Sequence, residues 1–309
     1  MNSIFLVAPS RSMSPESLRI VRNYLTTNGF NVVSPVKMLR SDLFFSNTDE
    51  ERYRFLREAF EAPKVNVIWA LGGGYGATRL LHFFESSSCP SPKKYFVGFS
   101  DATALHLFLN RCWKWPSIHG PTAYQAATGM AGTRGVRELL RGLNNPERMK
   151  FDREVVPLND RALRMETLEG TVVGGNLTLL QCSLGTFWQV EAMGKILLLE
   201  EVNEKAYRID RSLVHLRDVG VFEGVRAILL GDFLRPQENN GKSLMNTVLN
   251  RFVEEIPVPV FRIFNVGHGV ENLPVLLGTP TRFRIRDREG CEASESFGKT
   301  ACLREQSSV

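Results

Sequence analysis

Residues 65–76 read VNVIWALGGGYG and join an apolar run of strand length to a cluster of glycines. An apolar run of this length with β-branched and aromatic members is typical of a fully buried strand. A helix is predicted over 77–84, so the stretch has the strand–turn–helix order of an α/β unit. The same alternation surrounds it, with strands predicted at Ser3–Ala8, Asn31–Ser34 and Tyr95–Phe99 and helices at Ser14–Leu25 and Asp49–Phe60, the second capped by Thr48. This alternation predicts an α/β domain with a parallel sheet that is covered on both faces.

The second half of the chain has more strand character. Strands are predicted at Lys195–Leu199, Ala227–Gly231, Val258–Val266 and Thr281–Arg286, and helices at Ala206–Val219 and Leu244–Glu255. Residues Val172–Asn176 are expected to open a Leu-rich helical stretch. Residues 129–163 are polar, basic and poorly periodic. We therefore predict an N-terminal α/β domain over 1–135, a connection over 136–163, and a smaller β-rich α/β domain over 164–309.

Composition excludes several classes of protein. The 309 residues are 43% hydrophobic and 23% charged, as expected of a folded globular chain. The net charge of +5 comes from basic residues scattered among acids, so no nucleic-acid partner is expected. No run approaches the roughly 18 apolar residues of a membrane span, and the N-terminus lacks a signal peptide, so we expect a cytoplasmic protein. The cysteines are dispersed and predict reduced thiols without a metal site: Cys89, Cys112, Cys182, Cys291 and Cys302.

Gly98-Phe99-Ser100-Asp101-Ala102 is a candidate nucleophile turn. It follows a predicted strand and precedes a helix-competent run, and a serine on a sharp strand-to-helix turn needs small residues two positions before and after it. Gly98 and Ala102 meet that need, although the usual last glycine is replaced. The alternative is that Ser100 is an ordinary helix N-cap, which the pentapeptide by itself favours.

The glycine cluster Gly72–Gly76 is a candidate site for an anion. Glycines allow backbone N–H groups to turn toward a phosphate or an oxyanion. Gly72, Gly74 and Ala77 also match the dinucleotide-binding pattern, but no acid follows the next strand where a ribose would need one. A dinucleotide-binding module therefore stays an alternative, as does a structural turn.

His268 and two adjacent acids could complete a catalytic site. His268 lies between glycines just after a predicted strand, a place that substrates can reach, although an isolated loop histidine is more often structural. Glu200 and Glu201 end an apolar strand, and either carboxylate could accept the Nδ1–H of a histidine. Spacing alone does not separate these two acids, and either could instead stabilise a helix N-terminus.

The segments taken together resemble the LD-carboxypeptidase family, serine peptidases of murein recycling that include the microcin C immunity peptidases. The matching motifs run in family order over nearly the whole chain: Ala8-Pro9-Ser10, Thr48–Arg52, Gly73–Gly76, Gly98–Leu105, His119-Gly120-Pro121, Gly174–Leu177, Leu199-Glu200-Glu201, Tyr207–Arg211, Gly267-His268-Gly269 and Leu273–Gly278. Two positions depart from the pattern. Gly72 stands where many members have arginine, and Glu201 stands where aspartate is usual.

The resemblance implies a role for each candidate residue. Ser100 becomes the nucleophile, His268 the base and Glu200 the orienting acid. The backbone N–H groups of Asp101 and of Gly73 or Gly74 would form the oxyanion hole, and Asn176 would help to bind substrate. A two-domain fold with the active site in the interdomain cleft, a homodimer and the absence of any cofactor are also implied.

The expected activity is therefore hydrolysis of an L-to-D peptide bond, with release of terminal D-alanine from a murein tetrapeptide. The substrate partner would be a muropeptide or another small peptide, with neither nucleic acid nor membrane involved. The alternative within the family is an immunity-type peptidase that cleaves peptidyl or aminoacyl nucleotides. That branch typically has a longer segment before the acid, which this chain lacks.

Overall fold

The computed structural model describes residues 2–145, 149–234 and 243–286, which form two β-sheets with surrounding helices. The strands are β1 Ser3–Val7, β2 Asn31–Val33, β3 Val67–Ala70, β4 Tyr95–Gly98, β5 Ser117–His119, β6 Arg153–Pro157, β7 Leu168–Asn176, β8 Ile196–Val202, β9 Ala227–Leu234, β10 Val260–Ile263, β11 Val275–Leu277 and β12 Pro280–Ile285. The α-helices are α1 Pro15–Thr27, α2 Asp49–Glu61, α3 Thr103–Phe108, α4 Ala123–Thr128, α5 Thr133–Asn144, α6 Asp160–Leu163, α7 Leu177–Ser183, α8 Ala206–Asp218 and α9 Met245–Glu255. Tighter 3-10 turns cover Ala77–Phe84 and Ser100–Ala102, and a π-helical turn covers Leu109–Trp113.

The first sheet has the strand order β11-β5-β4-β3-β1-β2 and is parallel except for β11. Apart from the edge strand β2, its strands are mostly buried, and their successive side chains pack on opposite faces of the sheet. In β1, Ile4 and Leu6 pack into the cluster that contains residues of α1, α4 and α5. Phe5 and Val7 pack into the opposite cluster, which contains residues of α2 and α3. The predicted parallel sheet with two covered faces is confirmed.

Hydrogen bonds from side chains start the first two helices. The Ser14 hydroxyl accepts from the N–H of Ser17 at the start of α1, and the Thr48 hydroxyl accepts from Glu51 at the start of α2. Such caps satisfy N–H groups that have no partner within the helix. The predicted cap at Thr48 is confirmed.

The second sheet closes into a barrel with the order β10-β6-β12-β7-β8-β9. Strands β7, β8, β9 and β10 are parallel to their neighbours in that run, whereas β12 pairs antiparallel with β7 and β10 pairs antiparallel with β6. The β-rich second domain is therefore present. Closure leaves no free edge in this sheet. The ends of β7 and β8 meet the first domain, since the N–H of Asn176 donates to the hydroxyl of Thr103 and Glu200 lies 3.8 Å from His119 of β5.

The chain crosses between the two sheets at places that differ from the predicted boundaries. The predicted connection 136–163 contains most of α5, the barrel strand β6 and helix α6, and β11 returns from the C-terminal half to pair with β5. Helix α5 buries Val136, Leu139 and Leu143 at helical spacing and carries its arginines on the other face, an amphipathic pattern that the prediction of a poorly periodic connection overlooked. The short strands β5 and β11 carry too few residues for a periodic signal.

Two further expectations concern the cysteines and membrane-spanning helices. Cys89, Cys112 and Cys182 are free thiols, whereas Cys291 and Cys302 lie outside the described residues. No helix in the described ranges is both long enough and apolar enough to cross a membrane.

Candidate active site

Ser100 lies on a strained turn directly after β4. Phe99 is extended, and Ser100 has a φ of +60°, in the left-handed region that non-glycine residues rarely adopt. Gly98 allows the turn to fold back, since a Cβ at Gly98 would lie 2.9 Å from the Cβ of Ala102. The N-cap positions of the turn and of α3 are Phe99 and Ala102, and neither makes a side-chain cap. The interpretation of Ser100 as a helix N-cap is therefore wrong, and the geometry is that of a nucleophile turn.

His268 and Glu200 form a hydrogen-bonded pair. The Nδ1 of His268 lies 2.7 Å from the Oε2 of Glu200, which is fully buried near the end of β8. Burial raises the pKa of Glu200, but His268 and the more distant His119 lower it more strongly, to about 2. Because an ionised carboxylate only accepts hydrogen bonds, Nδ1 must donate, and Nε2 is left with the lone pair of a general base.

The loop that carries His268 passes very close to buried acids. Gly267 has a φ of +132°, and a Cβ there would lie 3.0 Å from the Oε2 of Glu200. A Cβ at Gly269 would lie 2.8 Å from the Oδ2 of Asp232. Side chains at these two positions would push the histidine away from its acid. The glycines on either side of His268 are thus required because a larger residue would collide with Glu200 or Asp232.

The glycine turn after β3 runs beside the nucleophile. A Cβ at Gly73 would lie 3.6 Å from the Cβ of Ser100, and Gly74 adopts a φ of +113°. The buried Asp101 carboxylate ties the two turns together, since it accepts from the Ser10 hydroxyl at 2.5 Å and from the Ala77 N–H at 2.8 Å. A protein carboxylate thus occupies the helix N-terminus where a dinucleotide phosphate would bind, which disfavours the dinucleotide-binding alternative.

Glu201 and Asn176 lie behind the acid, away from the pocket. The Glu201 carboxylate accepts from the Asn176 amide at 2.8 Å and from the N–H and hydroxyl of Thr178. The Asn176 carbonyl oxygen caps α7 by accepting from the Leu179 N–H. These bonds use the side chain of Asn176 in holding β7, α7 and β8 together. Substrate binding by Asn176 stays a prediction.

One pocket of about 310 Å³ unites the remaining candidates. Gly73, Gly74 and Ser100 line it from the first sheet, and His268 lines it from the loop after β10. The ring of Phe99 lies with its centroid 4.6 Å from that of His268, so the residue before the nucleophile contacts the base. The chain therefore brings the proposed nucleophile, base and oxyanion turn to one cleft between the sheets.

Two further buried residues lie near this site and were not predicted. His119 at the end of β5 has its Nε2 3.8 Å from the Oε1 of Glu200, too far for a hydrogen bond but close enough for an electrostatic contact. Sequence reasoning placed His119 in a turn, and only the motif His119-Gly120-Pro121 hinted at a role. Asp232 on β9 lies near Glu200, Gly267 and Gly269. In the sequence, the only indication of a role for Asp232 is that an acid stands within an apolar strand.

The described residues contain no group of three histidine, cysteine or acidic side chains that could hold a metal ion. What the arrangement offers is a serine, a histidine whose Nδ1 bonds to a buried carboxylate, and a turn of backbone N–H groups. This combination suits nucleophilic acyl transfer.

Comparison with known proteins identifies relatives of both domains. The sequence model of the LD-carboxypeptidase N-terminal domain matches residues 4–120, and that of the C-terminal domain matches residues 169–283. A Rickettsia conorii protein that bears a provisional carboxypeptidase name is 36% identical over 93% of this chain and 89% of its own. The murein tetrapeptide carboxypeptidase of Pseudomonas aeruginosa is 29% identical over 87% of this chain and 89% of its own.

Solved structures agree with these matches. The crystal structure of muramoyltetrapeptide carboxypeptidase from Oxalobacter formigenes has a TM-score of 0.77 and 28% identity, and the match covers 91% of this chain and 94% of that one. The structure of MccF in complex with glutamyl sulfamoyl guanosine has a TM-score of 0.73 and 20% identity, with coverage of 90% and 92%. At that identity the second match shows a shared fold only.

Proposed function

Because this chain belongs to the LD-carboxypeptidase family and is therefore a peptidase, we propose that it is a serine-type enzyme that cleaves an L-to-D peptide bond. Its product would be the terminal D-alanine of a murein tetrapeptide. The observation that carries the proposal is the 2.7 Å bond between His268 and the buried Glu200, in a pocket shared with the strained Ser100. The murein carboxypeptidase relatives support the choice of substrate.

The proposed reaction has two acyl-transfer steps. Nε2 of His268 takes the hydroxyl proton of Ser100 as the serine oxygen attacks the scissile carbonyl, while Glu200 holds Nδ1–H and stabilises the imidazolium. The oxyanion of the tetrahedral intermediate would accept bonds from the N–H groups of Asp101 and of Gly73 or Gly74. The imidazolium then protonates the departing amine, D-alanine leaves, and water hydrolyses the acyl-serine by the same sequence.

The immunity-type peptidase is the second candidate, and its support is the fold shared with MccF. That likeness carries no information about substrate. Helix α7 ends at Ser183 and β8 begins at Ile196, so the segment before Glu200 holds no long insertion, which supports the murein alternative. We therefore prefer the murein carboxypeptidase activity to the immunity-type activity. Cytoplasmic location, a homodimer and a role in peptidoglycan recycling stay predictions.

Three substrates test the proposal in parallel. The protein would be incubated with a murein tetrapeptide ending in D-alanine, with the same peptide ending in L-alanine, and with an aminoacyl sulfamoyl nucleotide, and products would be followed by mass. We expect D-alanine from the first substrate only. Cleavage of the nucleotide alone would favour the immunity-type activity, and turnover of none of them would overturn the proposal.

A further inference from the structure

Among the residues that the structure describes, one side chain with a permanent positive charge lines the pocket around Ser100. Among the described residues that line it, Arg11 is the one arginine or lysine, and the lining includes no aspartate or glutamate. This inference rests on the proposed function, because an enzyme that releases a terminal amino acid must admit the free carboxylate next to the scissile bond. Removing a carboxylate from water is costly unless a partner of opposite charge replaces the water.

Backbone contacts hold Arg11 against the oxyanion turn. Its N–H donates to the carbonyl of Gly73 at 3.4 Å, and its backbone bridges to that of Phe45. The stem of Arg11 lies across Gly74, since a Cβ on that glycine would be 2.8 Å from the Cβ and 3.0 Å from the Cδ of Arg11. Gly73 in turn runs beside Ser100, so the stem of Arg11 packs on the same turn that adjoins the proposed nucleophile.

The guanidinium of Arg11 has no acid to neutralise it within the described residues. Exposed arginines elsewhere, such as Arg19 and Arg54, form ion pairs with glutamates on the same helix, whereas Arg11 forms no ion pair with any residue that the structure describes. Its side chain is exposed, and it lines the pocket that contains Ser100. An arginine that lines a pocket and pairs with no acid there can receive a carboxylate through two parallel hydrogen bonds.

The neighbouring wall cannot supply the charge instead. At Gly72, where the resemblance leads one to expect arginine, a Cβ would lie 2.5 Å from the sulfur of Met13. The thioether therefore fills the space of a side chain at position 72. Met13 and Arg11 belong to one segment and both line the pocket, so this wall combines an apolar thioether with one positive charge.

We infer that Arg11 binds the C-terminal carboxylate of the leaving D-amino acid and so makes the enzyme an exopeptidase. The carboxylate is two bonds from the scissile nitrogen, so its receptor must stand close to the oxyanion turn, as Arg11 does. Arg11 is a specificity-determining residue in this assignment and takes no part in proton transfer.

The test compares a tetrapeptide that has a free terminal carboxylate with the same peptide as its C-terminal amide. For Arg11→Ala we expect kcat/KM on the free acid to fall by about 10- to 100-fold, mainly through KM, because a charge-assisted hydrogen bond is lost. Turnover of the amide, which has no carboxylate to bind, should fall much less than turnover of the acid, and circular dichroism checks that the variant is folded. Arg11→Lys should retain part of the preference for the acid. Arg22→Ala is the matched control, since Arg22 is exposed on α1 and bonds to Ser34 outside the pocket.

The outcomes separate the two proposals. If the wild-type protein hydrolyses neither peptide, the proposed function fails and this inference falls with it. If the wild-type protein is active but Arg11→Ala leaves the acid-to-amide ratio of kcat/KM unchanged, the assignment of Arg11 alone is wrong.

Discussion

Glu200 and Glu201 are adjacent carboxylates with opposite surroundings. Glu200 faces His268, and its pKa is lowered to about 2 despite its burial. Burial and the charge of Glu200 raise the pKa of Glu201, although hydrogen bonds from Thr178, Val202 and Asn176 oppose that rise. Successive side chains of an extended strand point to opposite faces, so one residue of register decides which acid can orient the histidine.

Substitution of each glutamate should separate their roles. Glu200→Gln should slow turnover strongly, by about 10⁴-fold as in a comparable triad, because an amide cannot stabilise the imidazolium. Glu201→Gln should keep most of its activity per folded molecule but lose about 1–3 kcal/mol of stability, because the new amide faces the donors of Thr178. Rates at a pH where His268 is neutral and urea unfolding would be measured for both. A large rate loss from Glu201→Gln alone would move the orienting role to Glu201.

Ser100→Ala should abolish turnover and leave the fold intact. The hydroxyl is the proposed nucleophile, and a site without it should retain only about 10³–10⁴-fold acceleration over water from the oxyanion hole and from binding. Rates and circular dichroism would be compared with those of Ser34→Ala, a serine bonded to Arg22 away from the pocket. More than a tenth of wild-type activity in Ser100→Ala would exclude Ser100 as nucleophile.

At the scale of elements, β8, β9 and the loop after β10 converge to build the acidic side of the site. Glu200 comes from β8, Asp232 from β9, and His268 from the loop. Burial raises the pKa of Asp232 to about 6, with the charge of Glu200 adding to the rise and Arg262 and His268 opposing it. Packing these elements together therefore costs stability once Asp232 ionises.

The pH dependence of stability should reveal this cost. An unfolded chain releases the Asp232 proton near pH 3.8, so between about pH 4 and pH 6 the folded state binds more protons than the unfolded state. The free energy of unfolding of the wild-type protein should then fall by up to about 3 kcal/mol as pH rises through this window, relative to Asp232→Asn.

Urea unfolding at pH 4, 5, 6 and 7 measures this difference. Only the slope with pH matters, because Asp232→Asn also removes the carboxylate that lies 3.4 Å from the guanidinium of Arg262. The exposed Asp218→Asn serves as the control for the substitution itself. Parallel stability curves for the wild-type protein and Asp232→Asn would show that Asp232 is not destabilised by burial.

At the scale of the whole molecule, the two sheets are interlocked and not merely joined by a linker. Strand β11 follows the barrel strand β10 and the His268 loop, yet it pairs with β5 of the first sheet. Its register places Val275 opposite His119, which lies beside Glu200. The segment that delivers the base is thus anchored at one end in the barrel and at the other in the nucleophile sheet.

The assembled site should work without a metal ion. The proposed chemistry uses Ser100, His268 and backbone N–H groups, and no side-chain group in the described residues is suited to hold a metal. Incubation with a strong chelator should leave the rate of D-alanine release unchanged, as measured against an untreated sample. Inactivation that zinc reverses would contradict the proposed reaction.

Much of the fold follows from local patterns in the sequence. The apolar runs of β1, β3 and β4 and the caps of α1 and α2 are local signals, because each depends on only a few neighbouring residues. Periodicity and capping residues therefore locate them in the sequence. The buried residues of α5 follow the period of an amphipathic helix, so the prediction of a connection there overlooked a signal that the sequence holds. Strands β5 and β11 have three residues each and were not predicted. Their extended conformation depends on pairing, of β5 with β4 and of β11 with β5, which the local sequence does not show.

The sequence by itself determined the parallel α/β class, the order of the motifs and the residue types that acyl transfer requires. Only the tertiary structure decided that Ser100 is not a helix cap, that Glu200 faces His268, and that Asn176 bonds to Glu201. The physical reason is distance along the chain. Glu200 and His268 are 68 residues apart, and Asn176 meets Glu201 only because β7 and β8 pair with Asn176 opposite Glu200. Contacts of that kind depend on strand register and barrel closure, which no local pattern of residues records.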